Sequence, residues 1–229
     1  MQEAAKWYRE AAAQGQEDAR RQLRKMGEIS ATADLPLDQA IIESSQKGEF
    51  DKVESLLEQG ANVNARTREF EFTPLIMAAH GGHLGLVKLL LDEGAEVNVL
   101  NHDGEMPLMM ACYEGHLEVV KFLLDRGAEV NARNKDGDTA LMEASSGGYF
   151  EIAKLLLDKG ADVNLHNNNG WTALMNASYE GHLDIVKLLL VMGTDVNALN
   201  QDGETALLWA EQQEHTAVVG LLKAHGAKE

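Results

Sequence analysis

The chain has 229 residues, of which 45% are hydrophobic, with three prolines, one cysteine and a formal net charge of −17. The single cysteine, Cys112, permits no internal disulfide and fits either a reducing compartment or a chain indifferent to redox state, and of these we expect a cytoplasmic protein. Residues 1–28 hold six basic and five acidic side chains, which leaves 14 basic and 32 acidic side chains for the remainder. That acidic surface repels phosphate backbones, and we expect no nucleic-acid partner.

The N-terminal segment is rich in alanine and in charged residues. It carries charges where a signal peptide needs an apolar stretch, and no segment of the chain approaches the ~18 apolar residues of a membrane span, so we expect no membrane association. The run Ala4-Ala5-Lys6-Trp7-Tyr8-Arg9-Glu10-Ala11-Ala12, followed by Gln14-Gly15, resembles part of a Sel-like repeat, a helical hairpin of the tetratricopeptide type. We predict a partial Sel-like hairpin over residues 1–27 and a junction over residues 28–37.

The fragment covers less than one full copy of that repeat, and two interpretations remain open. It is either truncated from a longer parent or serves as a helical cap. We favour truncation, because one hairpin cannot bury its own apolar face.

The rest of the chain repeats one pattern at a stride of 33 residues. A glycine recurs at Gly94, Gly127, Gly160, Gly193 and Gly226, and a short start recurs as Thr73-Pro74-Leu75, Met106-Pro107-Leu108, Thr139-Ala140-Leu141, Thr172-Ala173-Leu174 and Thr205-Ala206-Leu207. A period of this length indicates a solenoid, in which copies of one structural unit stack side by side.

The pattern predicts two helices in each repeat. Threonine at the start caps the first helix by accepting a bond from an orphaned N–H, and proline fits the first helical position. Met106 lacks the hydroxyl, so we expect its helix to begin less firmly, by about 1 kcal/mol. The second helix carries an apolar stripe, for example Leu84, Val87, Leu90 and Leu91, and the repeated glycine ends it in a left-handed conformation.

Between the second helix and the next start lies a predicted tight turn, or finger. Its turn signal is Asp103-Gly104, Asp136-Gly137, Asn169-Gly170 and Asp202-Gly203. Phe70 and Glu71 replace this pair in the first finger, where the glycine spacing is 34, and we expect an irregular finger there. An atypical first unit places Gln39 at the threonine position, and the polar last unit places Lys223 where Leu190 stood; both ends read as caps.

These motifs resemble the ankyrin repeat family, with its Thr-Pro-Leu-His start, its length of 33 and the Gly-Ala-Asp-Val-Asn ending at Gly160 to Asn164. The resemblance implies an all-α solenoid of helix-turn-helix units with β-hairpin-like fingers over residues 34–229. We divide it into an N-cap (38–66), four repeats (67–100, 101–133, 134–166, 167–199) and a C-cap (200–229). The family's histidine is replaced here by Ile76, Met109, Met142, Met175 and Leu208, so apolar packing must substitute for its hydrogen bond.

No catalytic or metal-binding motif is evident. His83, His116, His182 and His215 share one position at the opening of the second helix, but units about 10 Å apart hold them too far from one another for a common ion, so we interpret them as helix caps. Met109, Met142 and Met175 read as core rather than as soft-metal ligands, and Cys112 as a small packed residue. The acidic residues read as a solvated face, and we expect no enzyme, cofactor or small-molecule substrate.

Positions that vary between otherwise constant repeats are free to serve recognition. They lie just before the first helix and on one face of it. In the ankyrin family the corresponding surface lines a concave groove for protein partners, which suggests Trp171, Tyr113 and Tyr179 as aromatic anchors and Glu105, Asp138 and Glu180 as selectors of a basic partner. The full predicted set is Phe72, His80, Glu105, Met110, Tyr113, Glu114, Asp138, Trp171, Asn176, Tyr179 and Glu180. The alternative for Trp171 is simple packing on its neighbouring finger.

The sequence therefore predicts a monomeric, non-enzymatic scaffold that binds a protein or peptide, with an extended basic segment as one candidate partner. A second hypothesis makes the chain the targeting arm of a larger enzyme or of a secreted bacterial effector, since we associate Sel-like and ankyrin modules in one chain with bacterial proteins. A third and weaker hypothesis is an architectural spacer without a preferred ligand.

Overall fold

A computed structural model describes residues 36–228, which divide into two compact units at the boundary between His102 and Asp103. The predicted Sel-like hairpin (1–27) lies outside the described residues, and so does most of the predicted junction (28–37). The described part contains helices of 7 to 12 residues and no extended strand. None of these helices has the length and hydropathy to cross a bilayer.

The first unit contains two helix pairs. In each pair the first helix contacts the second, and the two first helices contact each other, as do the two second helices. The helices are α1 (Pro36–Lys47), α2 (Phe50–Glu58), α3 (Pro74–His80) and α4 (Leu84–Asp92).

The second unit contains four helix pairs with the same arrangement: neighbouring first helices contact each other, and neighbouring second helices do likewise. Each unit is therefore built from α-helical repeats, and the predicted all-α fold class is confirmed. The helices are α5 (Pro107–Tyr113), α6 (Leu117–Asp125), α7 (Ala140–Ser146), α8 (Phe150–Asp158), α9 (Ala173–Tyr179), α10 (Leu183–Val191), α11 (Ala206–Gln212) and α12 (Thr216–Ala224).

The predicted helix caps are confirmed. The hydroxyl of Thr139 accepts a hydrogen bond from the backbone N–H of Met142 at 3.4 Å, and Thr73, Thr172 and Thr205 do the same in their own helices. Met106 occupies the same position without a side-chain cap. At the other end of the pair, Gly127 has φ of +88°, and the next residue's N–H reaches back to the carbonyl of Leu123, which completes a Schellman motif.

Small residues on the first helices are completely buried. Ala111, Cys112, Ala144 and Ser145 have no exposed surface, and neither do Ala78, Ala79, Ala177 and Ser178 in α3 and α9, whereas the equivalent position in the last pair holds the exposed Glu211. Because these side chains are short, neighbouring first helices can approach closely. The methionines Met109, Met142 and Met175 are at most 4% exposed, which confirms their interpretation as core residues.

The predicted stripe on the second helix is partly wrong. In α4 the buried residues are Leu86, Val87 and Leu90, whereas Leu84 and Leu91 are only half-buried. The helix packs both on its own first helix and on the neighbouring second helix. Its apolar arc is therefore centred on Leu86 and Leu90, four residues apart, rather than on the i, i+3 series that the sequence suggested.

The first helix pair departs from the prediction at its start. We expected Gln39 at the capping position, but α1 already begins at Pro36, so Gln39 is an exposed residue inside the helix. The neighbouring Asp38 is 2% exposed, and its carboxylate accepts a hydrogen bond from the backbone N–H of Asn62 at 2.7 Å. This bond ties the beginning of α1 to the loop that follows α2.

The fingers are tight turns that bond to one another. The N–H of Asn134 donates to the carbonyl of Asp138 at 3.0 Å within one finger, and the N–H of Lys135 donates to Asp103 of the finger before it at 2.9 Å. Gly137 has φ of +84°, as the turn prediction requires. In the irregular first finger Glu71 takes φ of +55° instead of a glycine, which confirms the expected departure.

The histidines at the openings of the second helices do not cap those helices, contrary to our prediction. They occupy the N-cap position, but no side-chain cap bond forms. Instead the ring of His182 donates to the carbonyl of Ser146 at 2.9 Å, and the rings of His83 and His215 reach Gln46 and Tyr179 in the same way. Each of these rings therefore links its helix pair to the preceding one.

A glycine makes room for each ring. A Cβ added at Gly181 would lie 2.6 Å from the ring of His215, and one at Gly148 would lie 2.6 Å from the ring of His182. These glycines also have positive φ, which side chains disfavour. In the last pair the equivalent residue is Glu214, which keeps a φ of +59° although no further pair follows in the described residues.

Replacing Glu214 by glycine should therefore stabilise the protein. A left-handed conformation costs a non-glycine residue about 1 kcal/mol, and Glu214→Gly removes that strain. Denaturant unfolding should show a higher midpoint for the last helix pair. The control Glu214→Ala removes the same charge but keeps a Cβ, so it should show no gain; an equal gain for both variants would assign the effect to charge and contradict this explanation.

Candidate functional site

The predicted surface residues fall in both units, and the two groups are described separately. In the first unit, Phe72 and His80 are half-buried, and the Phe72 ring lies 6.0 Å from the ring of the exposed Phe70. The remaining nine residues belong to the second unit. Three of them line an acidic recess beside α5 and α7, two belong to an aromatic cluster beside α9 and α11, and the others lie around these two features.

The recess has a volume of about 120 Å³. It is lined by residues of α5, of α7 and of two fingers: Glu105, Met109, Met110, Tyr113, Asn134 and Glu143. Met109 forms a buried wall, whereas Tyr113 stands at the rim with 58% of its surface exposed. Glu105, Met110 and Tyr113 were predicted from the sequence, and the structure brings them together.

The predicted set left out Met109, Asn134 and Glu143, and of these Glu143 is the charged one. Burial raises the pKa of its carboxyl to about 7, and the nearby carboxylates of Asp138 and Glu105 raise it further in the same direction. Among the described residues no hydrogen bond or ion pair is formed by this carboxylate, and none of the charges that shift its pKa is positive. The groups that shift the pKa of Glu143 therefore all disfavour its ionised form.

The sequence did contain a signal for Glu143. It lies at a varying position four residues after the helix start, together with Met77, Met110, Asn176 and Trp209. What sequence could not show is the burial of this carboxyl or its approach to Asp138 and Glu105. Our expectation that the acidic side chains form a solvated face is wrong for Glu143, whose carboxyl is largely buried in the recess.

Asp138 is held in place by the neighbouring finger. The side-chain amide of Asn167 donates to the Asp138 carboxylate at 2.8 Å, while the Asn167 carbonyl oxygen accepts from the backbone N–H of Trp171 at 2.9 Å. A single asparagine thus fixes both a predicted acidic selector and the residue that carries a predicted aromatic anchor.

Trp171 and Tyr179 form a cluster with Trp209, which the predicted set also left out. The Trp171 ring centroid lies 4.9 Å from that of Trp209 and 6.0 Å from that of Tyr179, and Tyr179 meets Trp209 edge to face at 5.6 Å. Trp171 and Trp209 are half-buried, and Tyr179 is 36% exposed. These contacts support a packing role for Trp171 and leave the outer edge of Tyr179 open to solvent.

The other predicted residues lie around these two features. Glu114 and Glu180 are exposed at the ends of α5 and α9, and Asn176 is half-buried on α9. The amide of Asn176 donates to the carbonyl of Met142 at 3.4 Å, so this side chain joins α9 to α7.

A larger cavity of about 630 Å³ lies between two later fingers of the second unit, where Asn167, Asn168 and Gln201 contribute to its lining. Its volume is in the range of small-molecule sites. These amides are already engaged, however: Asn168 donates to the carbonyl of Lys135, and Gln201 donates to that of Asn168. The side-chain amides of this cavity therefore bond the fingers to each other and are not directed at a ligand.

Cys112 is a packed core residue, as predicted. It has no exposed surface, and burial followed by the charge of Glu143 raises the pKa of its thiol far above the usual value. A thiol in this state is a poor nucleophile. Within residues 36–228 no group of three or more histidine, cysteine, aspartate or glutamate side chains is arranged to hold a metal ion.

The fold and its surface define an all-α repeat protein with varied residues on a constant framework. A family model described as ankyrin repeats (3 copies) matches residues 37–134, 75–167 and 131–200, which together cover more than half of the chain. The chain therefore belongs to the ankyrin repeat family.

Two curated proteins show local similarity. The 2-5A-dependent ribonuclease of Mus musculus is 41% identical over 59 residues, which are 26% of this chain and 8% of the ribonuclease. Alpha-latrocrustotoxin-Lt1a of Latrodectus tredecimguttatus is 48% identical over 52 residues, which are 22% of this chain and 4% of the toxin. The similarity thus spans less than a tenth of either relative.

Glu143→Gln should change the pH dependence of stability. The folded pKa of about 7 exceeds the ordinary 4.5, so the folded state retains a proton that the unfolded chain releases. The contribution of Glu143 to stability therefore falls as pH rises from about 4.5 through about 7 and is constant above. The variant should match the wild type at pH 4 and be about 3 kcal/mol more stable at pH 8.

Urea unfolding at several pH values measures this difference. Glu151→Gln is the matched control, because it makes the same chemical change on an exposed residue of α8. A difference between Glu143→Gln and wild type that stays constant from pH 4 to pH 8 would show that Glu143 ionises normally.

Trp171→Ala should destabilise the protein by about 2 kcal/mol, because it removes two aromatic contacts and part of a half-buried ring. A residue that served only as a binding anchor would leave thermal stability nearly unchanged, whereas the packing of Trp171 on Trp209 predicts a loss. Thermal unfolding followed by circular dichroism measures the loss. Tyr113→Ala, at an exposed ring, should change stability by less than about 0.5 kcal/mol; equal effects of the two variants would contradict the role assigned to the cluster.

Proposed function

We propose that this protein is a non-catalytic interaction module that binds a basic segment of a protein or peptide partner. The binding surface is the exposed face of the first helices and the adjoining fingers of the second unit. The observation that carries the proposal is the recess that Glu105 and Glu143 line beside the exposed ring of Tyr113, with Asp138 near enough to raise the pKa of Glu143.

Charge complementarity supports a basic partner. A surface that concentrates negative potential accelerates encounter with a positively charged segment and repels acidic proteins. Glu114 and Glu180 add exposed carboxylates at the ends of two first helices. Tyrosines at 58% and 36% exposure supply the aromatic contact area that dominates interface energies.

The dimensions of the recess support binding rather than catalysis. Glu143, with its raised pKa and two neighbouring carboxylates, has the kind of environment in which an acid-base residue is found. The recess, however, measures about 120 Å³, well below the roughly 300 to 1,000 Å³ of sites that enclose a small substrate. It suits one side chain of a larger partner.

We further infer that the six helix pairs of the described residues are six ankyrin units with the boundaries given above, of which the first and last act as caps. The long α1 and the polar α11, where Glu211 pairs with Lys223 at 2.8 Å, support that assignment. We propose that the module acts as a monomer in the cytoplasm, and that residues 1–27 are part of a Sel-like repeat of bacterial type.

A second proposal is that the chain is the targeting arm of a longer enzyme or secreted effector. The observation in its favour is that in both curated relatives the similar segment is a small part of a much longer protein. An activity present in a longer parent protein and absent from residues 1–229 would support this role.

Selection from a displayed library of random 12-residue peptides tests the basic-partner proposal. We expect wild-type protein to enrich peptides of positive net charge. The triple variant Tyr113→Ala, Glu114→Gln, Glu180→Gln should bind a selected peptide at least about tenfold more weakly, because an anchor ring and two carboxylates are lost. Fluorescence anisotropy measures both affinities.

The matched control is Glu118→Gln with Glu151→Gln, which neutralises two exposed carboxylates on the second helices α6 and α8. It should keep wild-type affinity apart from a small loss of long-range attraction. Failure to enrich any peptide, enrichment without positive charge, or equal weakening of the control and the triple variant would each reject the proposal.

A further inference from the structure

The cavity of about 630 Å³ between two later fingers of the second unit is lined by a histidine where two other repeats carry an arginine. Resting on the proposed function, we infer that this cavity binds the guanidinium group of an arginine from the basic partner. The backbone carbonyl groups of Gly170 and Leu199, two residues of the lining, accept its hydrogen bonds.

Two arginines of the chain show which group the framework holds between neighbouring fingers. Arg133 donates from Nη2 to the carbonyl of His166 in the next finger at 2.8 Å, and from Nε to the carbonyl of Gly137 in its own finger at 3.1 Å. In the first unit, Arg66 donates from Nη1 to the carbonyl of Leu100 at 2.8 Å. In both places a guanidinium group joins one finger to a backbone carbonyl of the next.

His166 occupies the position of Arg133 one repeat later. Its ring does not reach the following finger, because Nδ1 bonds to the carbonyl oxygen of the adjacent Asn167 at 3.1 Å. The carbonyls equivalent to those that Arg133 bonds belong to Gly170 and Leu199. Within the part of the chain that the structure describes, no hydrogen bond is donated to either of these two carbonyls.

The gap on each side of the finger that carries Asn168 has the same backbone geometry. The N–H of Asn168 donates to the carbonyl of Asp136 at 2.8 Å, and one repeat later the N–H of Gln201 donates to the carbonyl of Asn169 at 2.9 Å. Because the same backbone bond sets both spacings, the two carbonyl oxygens in the second gap stand in the same relation as the two that Arg133 bonds in the first.

The cover of the turn glycines differs between the two gaps. Gly137, which bonds to the Arg133 guanidinium, is buried, whereas Gly170 beside the cavity is half-buried. Leu199 is 61% exposed and offers apolar surface to the methylene stem of a cationic side chain. Asp195 is the acidic residue of the lining, and neither lysine nor arginine belongs to that lining. The cavity therefore has room and acceptors for an external cation.

The placement of the two carbonyls favours arginine over lysine. Arg133 uses Nε and Nη2, two N–H groups on one edge of a planar fork, to reach two carbonyls at once. A guanidinium group carries five N–H donors in this fixed geometry, whereas an ammonium group is a compact point charge. Its positive charge also makes each bond stronger than one from a neutral amide.

Titration of the protein with Nα-acetyl-arginine methylamide, followed by nuclear magnetic resonance of the backbone amides, tests the site. We expect saturable shifts in the fingers at 166–171 and 199–204. The citrulline analogue lacks the positive charge and the lysine analogue lacks the planar fork, so each should bind at least about fivefold more weakly.

His166→Arg supplies the guanidinium group from within the chain and should compete with the external one. This variant should lose the arginine-dependent shifts and unfold at a higher temperature than wild type, because it reproduces the bridge made by Arg133. The matched control is His166→Gln, which removes the exposed imidazole ring without adding a guanidinium group and should bind the arginine probe as wild type does.

The outcomes separate this inference from the proposed function. Absence of shifts in these fingers, equal binding of the lysine analogue, or unchanged binding to His166→Arg would each overturn the inference. Basic library peptides that bind wild type and His166→Arg equally well would also overturn it while supporting the proposed function. If the library yields no basic peptide, the proposed function is rejected, and the assignment of the arginine to a partner is rejected with it.

Discussion

The structure depends on apolar faces that a single helix pair cannot cover for itself. The first helices carry alanine and serine at positions with no exposed surface, such as Ala144 and Ser145, and these are buried only because a neighbouring first helix lies against them. Specific hydrogen bonds then fix the spacing of the pairs. The His182 ring bonds to the carbonyl of Ser146, and Gly148 leaves room for that ring. The residues that recur in each repeat therefore serve the contacts between neighbouring helix pairs.

Because the contacts between pairs use only part of each first helix, the residues on one of its faces are free to vary, and the candidate site lies on that face. The framework determines where Glu143 stands, while neighbouring fingers determine what surrounds it. Asn167 illustrates the connection, since one side chain holds the Asp138 carboxylate and also accepts a bond from the backbone of Trp171. The acidic recess and the aromatic cluster are consequently positioned by the same finger contacts that stabilise the fold.

Much of the fold could be predicted from sequence because its signals are local and repeated. The threonine caps and the Schellman glycines act within one helix, and a stride of 33 residues shows that they recur. The histidines were assigned a wrong role because their partner is a backbone carbonyl about 36 residues away, which no local motif reveals. The start of α1 was misplaced because Asp38 bonds to a loop beyond α2 rather than to its own helix.

The site was less predictable for a related reason. Variation between repeats identified the right positions, including that of Glu143, but it carried no information on burial. Whether a carboxyl is solvated or largely buried depends on side chains from three elements, here Glu105, Asp138 and Tyr113. In the same way, the sequence could not show that the ring of Trp171 packs on the ring of Trp209, at a centroid distance of 4.9 Å.

The central claim is that the varied first-helix face, and not the second helices, is the binding surface. Amide hydrogen exchange of the second unit, with and without a selected basic peptide, tests it most directly. The account predicts slower exchange on binding in α5, α7 and the fingers before them, with α6 and α8 unchanged. Slowing confined to α6 and α8 would contradict it.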